Sequence, residues 1–239
     1  MPRVIVFCIV EGQTENAVLT RLIAPHLGSR DIDFHVPVVK TGGGRGGVRF
    51  LHATNLYDQA QRFLKDRRLP YVTTMFDYYA FPTSEAKGWE FVGKLKADAA
   101  IRGPAKVAEL IESELHVRCL EGLDIQNADA RFFPYVQLHE LEALYFAEPD
   151  KMEATFGTPG LAERFKKIVE QCGACESIDD SPQTAPSKRI EAAFPGYVKG
   201  RSEFAHGPRL AGKLDLTIVR KECPRFNDWL TKLENLTPC

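Results

Sequence analysis

The chain has 239 residues and a formal net charge of −1, from 31 Lys and Arg against 32 Asp and Glu. This balance excludes a protein that coats nucleic acid through bulk positive charge. Hydrophobic residues make up 44% of the chain and charged residues 26%, which excludes disordered and fibrous classes and indicates one large domain or a core with a smaller appendage. The charge is uneven, with a net +3 over residues 1–80, −8 over 81–180 and +4 over 181–239. That division fits either carboxylates around a metal or solvated helices.

The first third of the sequence is predicted to alternate strands and helices. Residues 3–10 are apolar and β-branched almost throughout, as in a central strand that is covered on both faces. The following elements are a helix capped by Thr14 that runs to Pro25, a strand over 34–40, a helix over 50–68 and a buried strand over 71–76 that ends on Asp77. The order predicts an α/β fold with a Rossmann-like, mostly parallel sheet flanked by helices, whose sites form beyond the carboxyl ends of the strands.

The rest of the chain is predicted to contain one more strand and then helices only. The expected elements are helices near 89–95 and 104–115, a strand over 132–138 that passes into a helix over 139–146, and helices over 161–171, 187–194, 209–221 and 226–236. The polar stretch 172–186 is interpreted as a linker or a substrate-side loop. We expect an α/β core over residues 1–150 and a helical C-terminal extension over 151–239 that packs on it.

The sharpest local feature is the run Glu11-Gly-Gln-Thr-Glu15 after the first strand. Positions i and i+4 share a helix face, so Glu11 and Glu15 are candidates for one crevice. For Glu15, complementing the helix dipole or closing a capping arrangement is an equal alternative. Asp77 ends a second apolar strand, where packing gives no reason for a charge, so it is a candidate metal ligand or acid/base, with a turn-initiating role as the alternative.

A third carboxylate cluster follows the expected strand over 132–138, in the run His139-Glu-Leu-Glu142. Magnesium and similar hard cations take several oxygen ligands, which carboxylates from separate strand ends can supply. Glu140 and Glu142 are therefore candidate ligands, of which a regular helix would aim one at the site. His139 is interpreted as a hydrogen-bonded junction residue, because imidazole suits softer metals.

Two basic segments are candidates for binding an anionic substrate. Ser187, Lys188 and Arg189 stand at a helix start, where backbone amides favour phosphate. The glycine-rich loop carries Arg45 and Arg49 but lacks the lysine spacing of a P-loop. Both segments also fit solvated faces.

The cysteines and the N-terminus bear on the compartment. Six scattered cysteines do not form a secreted disulfide framework, and the apolar start reaches Glu11 after too few residues for a membrane span, with no cleavage site behind it. We therefore expect a cytoplasmic protein. Cys172 and Cys175 have metal-knuckle spacing that Cys223 or His206 would complete, so structural zinc is an alternative to a loop with reduced thiols.

Glu11-Gly12, Asp77 at a later strand end and a further carboxylate junction together resemble the Toprim domain, the metal-binding α/β module of topoisomerases, primases and overcoming-lysogenization-defect (OLD) family nucleases. More closely, the chain resembles an uncharacterised bacterial domain-of-unknown-function family with a Toprim-like core, often encoded beside an AAA or ABC-type ATPase in mobile defence loci. The runs that carry this closer resemblance are Glu11-Gly-Gln-Thr-Glu15, Asp77-Tyr-Tyr79, His139-Glu-Leu-Glu-Ala-Leu-Tyr-Phe146, Ala185-Pro-Ser-Lys-Arg-Ile190 and Cys223-Pro-Arg-Phe-Asn-Asp-Trp-Leu230.

The resemblance implies roles for particular residues. Glu11 matches the Toprim glutamate, Glu15 the second helix carboxylate of the OLD-type site, and Asp77 the first aspartate of the Asp-x-Asp motif. Tyr79 replaces the second aspartate, a loss that Glu140 or Glu142 would make good. Lys188 matches the lysine that OLD-like nucleases place near the scissile phosphate.

The carboxylates and the resemblance together predict a Mg²⁺- or Mn²⁺-dependent nuclease of DNA, or less favourably RNA. The resemblance further implies that it acts with a partner ATPase in bacterial defence, and no membrane partner is expected. Its catalytic residues would be Glu11, Asp77 and Lys188. The rival hypothesis is a catalytically degenerate subunit that binds nucleic acid or regulates the ATPase. A zinc-stabilised helical binding module at the C-terminus is a third.

Overall fold

A parallel sheet forms the centre of the protein in the computed structural model, which describes residues 3–39, 52–79, 81–179, 181, 183–198 and 205–239. The strands are β1 (Val4–Val10), β2 (Ile32–His35), β3 (Tyr71–Asp77), β4 (Phe132–Phe133) and β5 (Val136–Gln137). Their order is β2-β1-β3-β4, with β5 also paired to β3, and every described pair is parallel. The predicted α/β fold with a parallel sheet flanked by helices is confirmed.

Helices cover both faces of this sheet. In the first part of the chain they are α1 (Gln13–Leu22), α2 (Ala24–Gly28), α3 (Ala53–Leu64), α4 (Glu90–Ala97), α5 (Pro104–Leu120) and α6 (Ala128–Arg131). In the second part they are α7 (Pro149–Phe156), α8 (Leu161–Cys172), α9 (Pro186–Ala193), α10 (His206–Ala211), α11 (Leu216–Glu222) and α12 (Pro224–Glu234). Short 3₁₀ helices span Glu85–Lys87, Leu141–Ala147 and Cys175–Ser177. Among the described residues, no helix is long and apolar enough to cross a membrane.

Successive residues of β1 feed two separate hydrophobic cores because side chains alternate across a strand. Val6 and Cys8 pack with α1, α2 and the C-terminal helices, whereas Ile9 packs on the other face with α3, α4 and α5. Trp229 of α12 donates from Nε1 to Thr73 Oγ1 of β3 at 3.0 Å. The C-terminal helices therefore share a core with the sheet. The boundary near residue 150 stays a prediction, and α7 spans it.

Local backbone chemistry corrects several predicted elements. Thr14 is not the N-cap, because α1 already begins at Gln13 after an extended Gly12. Proline lacks a backbone N–H, and the expected strand over 132–138 is accordingly two short strands on either side of Pro134. The segment after it is a 3₁₀ helix over Leu141–Ala147 and not an α-helix.

Three other expectations are also corrected. The strand expected over 34–40 begins earlier, at Ile32. Among the described residues 36–39, only Val38 forms a parallel bridge, to Val10. The helix expected over 209–221 is divided into α10 and α11, and Asp215 caps the second by accepting from the Thr217 amide at 2.8 Å. The stretch expected as a linker is anchored, since Cys175 and Ile178 are buried in the core.

Candidate carboxylate site

The carboxyl edge of the sheet brings Glu11 and Asp77 together. Glu11 directly follows β1, and Asp77 is the last residue of β3, its parallel neighbour. The buried Glu11 carboxylate accepts a hydrogen bond through Oε1 from the backbone N–H of Asp77 at 2.8 Å. The two strand ends are thus tied directly through one of the candidate side chains.

Gly12 allows the Glu15 side chain to lie beside Glu11 and Asp77. Glu15 lies in the first turn of α1, and its carboxylate folds back over Gly12. A Cβ atom at Gly12 would lie 3.0 Å from Glu15 Oε2, which is tighter than ordinary van der Waals contact. Glycine at this position therefore leaves room for the second carboxylate.

The third segment of the site, which carries Glu140 and Glu142, begins at a residue in the left-handed backbone conformation. His139, which follows β5 by two residues, has φ of 58° and is buried, and its carbonyl accepts from the Tyr79 amide at 3.0 Å. The turn places the Leu141 amide 2.8 Å from Asp77 Oδ1, to which it donates. Glu140 precedes the 3₁₀ helix in extended conformation. Glu140 and Glu142 therefore do not stand on one regular helix, which is the basis for expecting only one of them at the site.

Glu140 and Glu142 are both buried and both hydrogen-bonded by distant residues. Glu140 accepts from the Ser187 amide at 2.7 Å through Oε2 and from the Ser187 hydroxyl at 3.0 Å through Oε1. Glu142 accepts from the Tyr197 hydroxyl at 3.4 Å. The first turn of α9 is thereby fixed on the carboxylate edge of the sheet.

Negative charge is concentrated around Asp77. Burial raises the pKa of the Asp77 carboxyl well above its usual 3.8, and the carboxylates of Glu11, Glu15, Glu142 and Glu140 raise it further, in that order. All five predicted carboxylates are therefore close enough to interact electrostatically. We refer to Glu11, Glu15, Asp77, Glu140 and Glu142 as the carboxylate site.

A buried tyrosine that sequence reasoning missed stands beside this site. The Tyr145 hydroxyl is inaccessible to solvent and has no hydrogen-bond partner within the described part of the chain. Burial raises the pKa of the Tyr145 hydroxyl most, and the negative charges of Glu142, Glu15 and Asp77 raise it further. Tyr145 lies in an apolar run that a position in the core fully explains, and no sequence pattern marks Tyr197. The sequence alone therefore could not identify either tyrosine as a neighbour of the site.

The chemistry of the carboxylate site suits a hard divalent cation, because every candidate donor is an oxygen. As the side chains stand, however, the described residues include no group of three or more His, Cys, Asp or Glu arranged to hold a metal ion. Instead, the carboxylates at this edge of the sheet accept hydrogen bonds from backbone amides and from the hydroxyl groups of Ser187 and Tyr197.

The predicted basic residues are divided by the structure. Ser187 is buried against Glu140, Lys188 is exposed and pairs with Glu191 at 2.6 Å, and Arg189 donates from Nε to the Thr184 carbonyl at 2.7 Å. Arg45 and Arg49 lie outside the described residues. Roles for these five residues in binding nucleic acid stay predictions.

The cysteines considered for zinc are only partly gathered. Cys175 and Cys223 are buried and in hydrogen-bond contact, which together with burial raises the pKa of the Cys223 thiol. His206 packs instead among aromatic rings, with its ring centroid 5.2 Å from that of Phe194. None of these residues belongs to a metal-holding group in the described ranges, and zinc stays a prediction.

Comparison with known proteins gives a family and no function. Residues 10–234 match the family described as Domain of unknown function (DUF4276). The match covers nearly the whole chain, so the protein belongs to this family. No curated protein and no solved structure matches it.

Proposed function

We propose that the protein is a divalent-metal-dependent nuclease of Toprim type, which hydrolyses phosphodiester bonds at the carboxylate site. The observation that carries the proposal is the chain of contacts from Glu11 through the Asp77 amide and the Asp77 carboxylate to the Leu141 amide. It joins three separate segments at the carboxyl edge of a parallel sheet, where ligands bind in open α/β folds.

The Toprim assignment is supported by which residues meet at that edge. Glu11 and Asp77 match the Toprim glutamate and the first aspartate of Asp-x-Asp, and they lie on adjacent parallel strands. Tyr79 stands in the place of the second aspartate. Glu140 and Glu142 reach the same edge by another route and would replace the missing carboxylate.

The residues that would hold Mg²⁺ or Mn²⁺ are Glu11, Asp77 and Glu140 or Glu142, with Glu15 beside them. A bound divalent ion supplies a more acidic water and neutralises charge that builds on the phosphate. Glu140 holds the first turn of α9 at the site through Ser187. Lys188, the next residue, would add a positive charge near the scissile phosphate.

The proposed substrate and partner protein are taken from the resemblance to the Toprim-like family. The substrate is DNA in preference to RNA, and the protein acts with an AAA or ABC-type ATPase in a bacterial defence system, in the cytoplasm. We propose Arg45 and Arg49, together with Ser187, Lys188 and Arg189, for contacts with the nucleic acid.

A catalytically degenerate subunit that binds nucleic acid or regulates the ATPase is the second candidate. It is favoured by the engagement of both Glu140 oxygens with Ser187, and by the absence of a ready metal-holding group among the described residues. In this case the carboxylates would have a purely structural role.

A cleavage assay separates the two candidates. Wild-type protein is incubated with labelled DNA and RNA and Mn²⁺, with and without the neighbouring ATPase, beside Glu11→Gln, Asp77→Asn and a matched control, Glu112→Gln. Glu112 is a largely buried carboxylate outside the site. We expect the first two variants to lose about 100-fold in cleavage rate and the control to retain activity.

Equal cleavage by Asp77→Asn, Glu11→Gln and wild type would contradict the assignment. No cleavage by wild type under any condition, together with nucleic-acid binding, would favour the non-catalytic subunit.

A further inference from the structure

A basic groove lies between α8 and α9. It has a volume of about 390 Å³. Arg164, Lys167 and Arg189 line it together with the amides of Gln171 and Gln183, and none of the described lining residues is acidic. We refer to it as the α8/α9 groove.

Among the described residues, no carboxylate forms an ion pair with the cations of this groove. Arg164 donates to the Ala192 carbonyl at 3.3 Å and Arg189 to the Thr184 carbonyl at 2.7 Å, and a neutral carbonyl leaves a guanidinium with its full charge. Lys167, one helical turn after Arg164, is exposed and makes no ion pair within the described part of the chain. Three positive charges that no described carboxylate pairs with therefore line one concave surface.

Neighbouring lysines show that this arrangement is local. Lys166 on α8 pairs with Asp150 at 3.0 Å and with Glu163 at 3.2 Å. Lys188 on α9 pairs with Glu191. These two lysines do not line the groove, and both are paired with carboxylates.

The groove and the carboxylate site flank the same helix. Ser187, in the first turn of α9, is bonded to Glu140. Arg189 follows two residues later, about 3 Å further along the helix axis and about 200° around it, so Arg189 and the groove lie on the other side of α9 from Glu140.

We infer that the α8/α9 groove binds the phosphate backbone of a nucleic-acid strand, across α9 from the carboxylate site. This inference rests on the proposed nuclease function and adds Arg164 and Lys167 to its binding surface. Guanidinium groups match phosphate geometry, ammonium and amide groups add donors, and none of them reads bases, so binding would be independent of sequence.

The test is binding of fluorescent DNA and RNA oligonucleotides by the full chain in EDTA, where cleavage cannot interfere, over a series of salt concentrations. Lys167→Ala is compared with Lys166→Ala, which makes the same charge change one residue away on another face. We expect Lys167→Ala to weaken binding about five- to tenfold at 0.1 M salt and to reduce the salt slope by about one unit. Lys166→Ala should bind as wild type does.

The inference would be overturned if both variants weakened binding equally or if neither weakened it. Tighter binding of an acidic polypeptide such as polyglutamate than of the oligonucleotides would also overturn it. Single- and double-stranded arms of DNA and RNA identify the preferred strand. If oligonucleotide binding depends on Lys167 while Glu11→Gln leaves cleavage unchanged, the groove stands and the proposed catalytic site falls. Loss of cleavage in Glu11→Gln with Lys167-independent binding gives the opposite result.

Discussion

Two partly buried carboxylates, Asp77 and Glu112, lie in different electrostatic surroundings. Burial raises the pKa of the Glu112 carboxyl above its usual 4.5, and the Arg225 guanidinium, with which it pairs, and the Val136 amide offset part of this rise. Burial also raises the pKa of Asp77, where Glu11 and three further carboxylates add to the increase. The Glu112 carboxylate is thus paired with a cation, whereas the Asp77 carboxylate lies among other carboxylates.

This difference matches the structural role of Glu112 and the functional role that we propose for Asp77. Glu112 joins α5 to β5 and α12, since it accepts from Val136 at 2.7 Å and holds Arg225 over the Tyr135 ring. A pair of this kind is explained by packing alone. Like charges gathered at a strand end destabilise the fold and are typical of sites that bind a cation or a proton.

The largest effect on stability is expected where a compensated charge loses its partner. Arg225→Met leaves the Glu112 carboxylate largely buried without its guanidinium, and we expect the free energy of unfolding to fall by about 3 kcal/mol. Urea unfolding at pH 7 measures the change. The double variant with Glu112→Met should recover most of the loss, and an unchanged stability of the single variant would show that Glu112 does not depend on Arg225.

A smaller loss is expected beside the carboxylate site. A Cβ atom at Gly207 would lie 2.6 Å from the Tyr145 hydroxyl oxygen, and the ring is fully buried and cannot swing aside. We expect Gly207→Ala to cost about 2 kcal/mol in thermal or urea unfolding. Gly212→Ala, whose nearest contact would be 3.9 Å, is the matched control. Adding Tyr145→Phe should relieve Gly207→Ala, and a fully stable Gly207→Ala would refute this packing.

The smallest effect has the opposite sign. The folded pKa of Asp77 lies above its usual 3.8, so the folded state holds this proton more tightly than the unfolded chain does. The wild type therefore loses stability as pH rises from about 4 through the folded pKa. Asp77→Asn can still accept from the Leu141 amide and avoids that loss. In EDTA it should be more stable than wild type at pH 8, with a difference that shrinks towards pH 4.

Glu112→Gln is the comparison for the same measurement. Arg225 and the Val136 amide offset part of the rise that burial causes in the pKa of Glu112, so we expect Glu112→Gln to gain less stability between pH 4 and pH 8, relative to wild type, than Asp77→Asn does. An equal gain in both variants would mean that the two regions do not differ as described.

The strands were predictable because their signal is continuous. The apolar runs that end at Val10 and Asp77 became the central parallel pair, and parallel pairing alone brings their carboxyl ends together. The start of α1 and the interruption at Pro134 depend on single backbone positions, which hydrophobic periodicity does not resolve.

The partners within the site were not predictable from spacing. Glu140 meets Ser187 across 47 residues, and Glu142 meets Tyr197 across 55. Such contacts depend on how the C-terminal helices pack, and the left-handed His139 that orients Glu140 leaves no pattern in the sequence. The sequence thus indicates which carboxylates stand at strand ends and not what holds them there.

Binding of Mn²⁺ to the metal-free chain tests the account most directly, because it depends on neither substrate nor partner. Isothermal titration or the loss of the free-ion electron paramagnetic resonance signal is followed for wild type, Asp77→Asn and Glu112→Gln at pH 7.5. We predict stoichiometric binding by wild type and Glu112→Gln, accompanied by a rise in melting temperature, and no binding by Asp77→Asn. Equal binding by all three, or none by wild type at millimolar Mn²⁺, would contradict a metal-binding role for the carboxylate site.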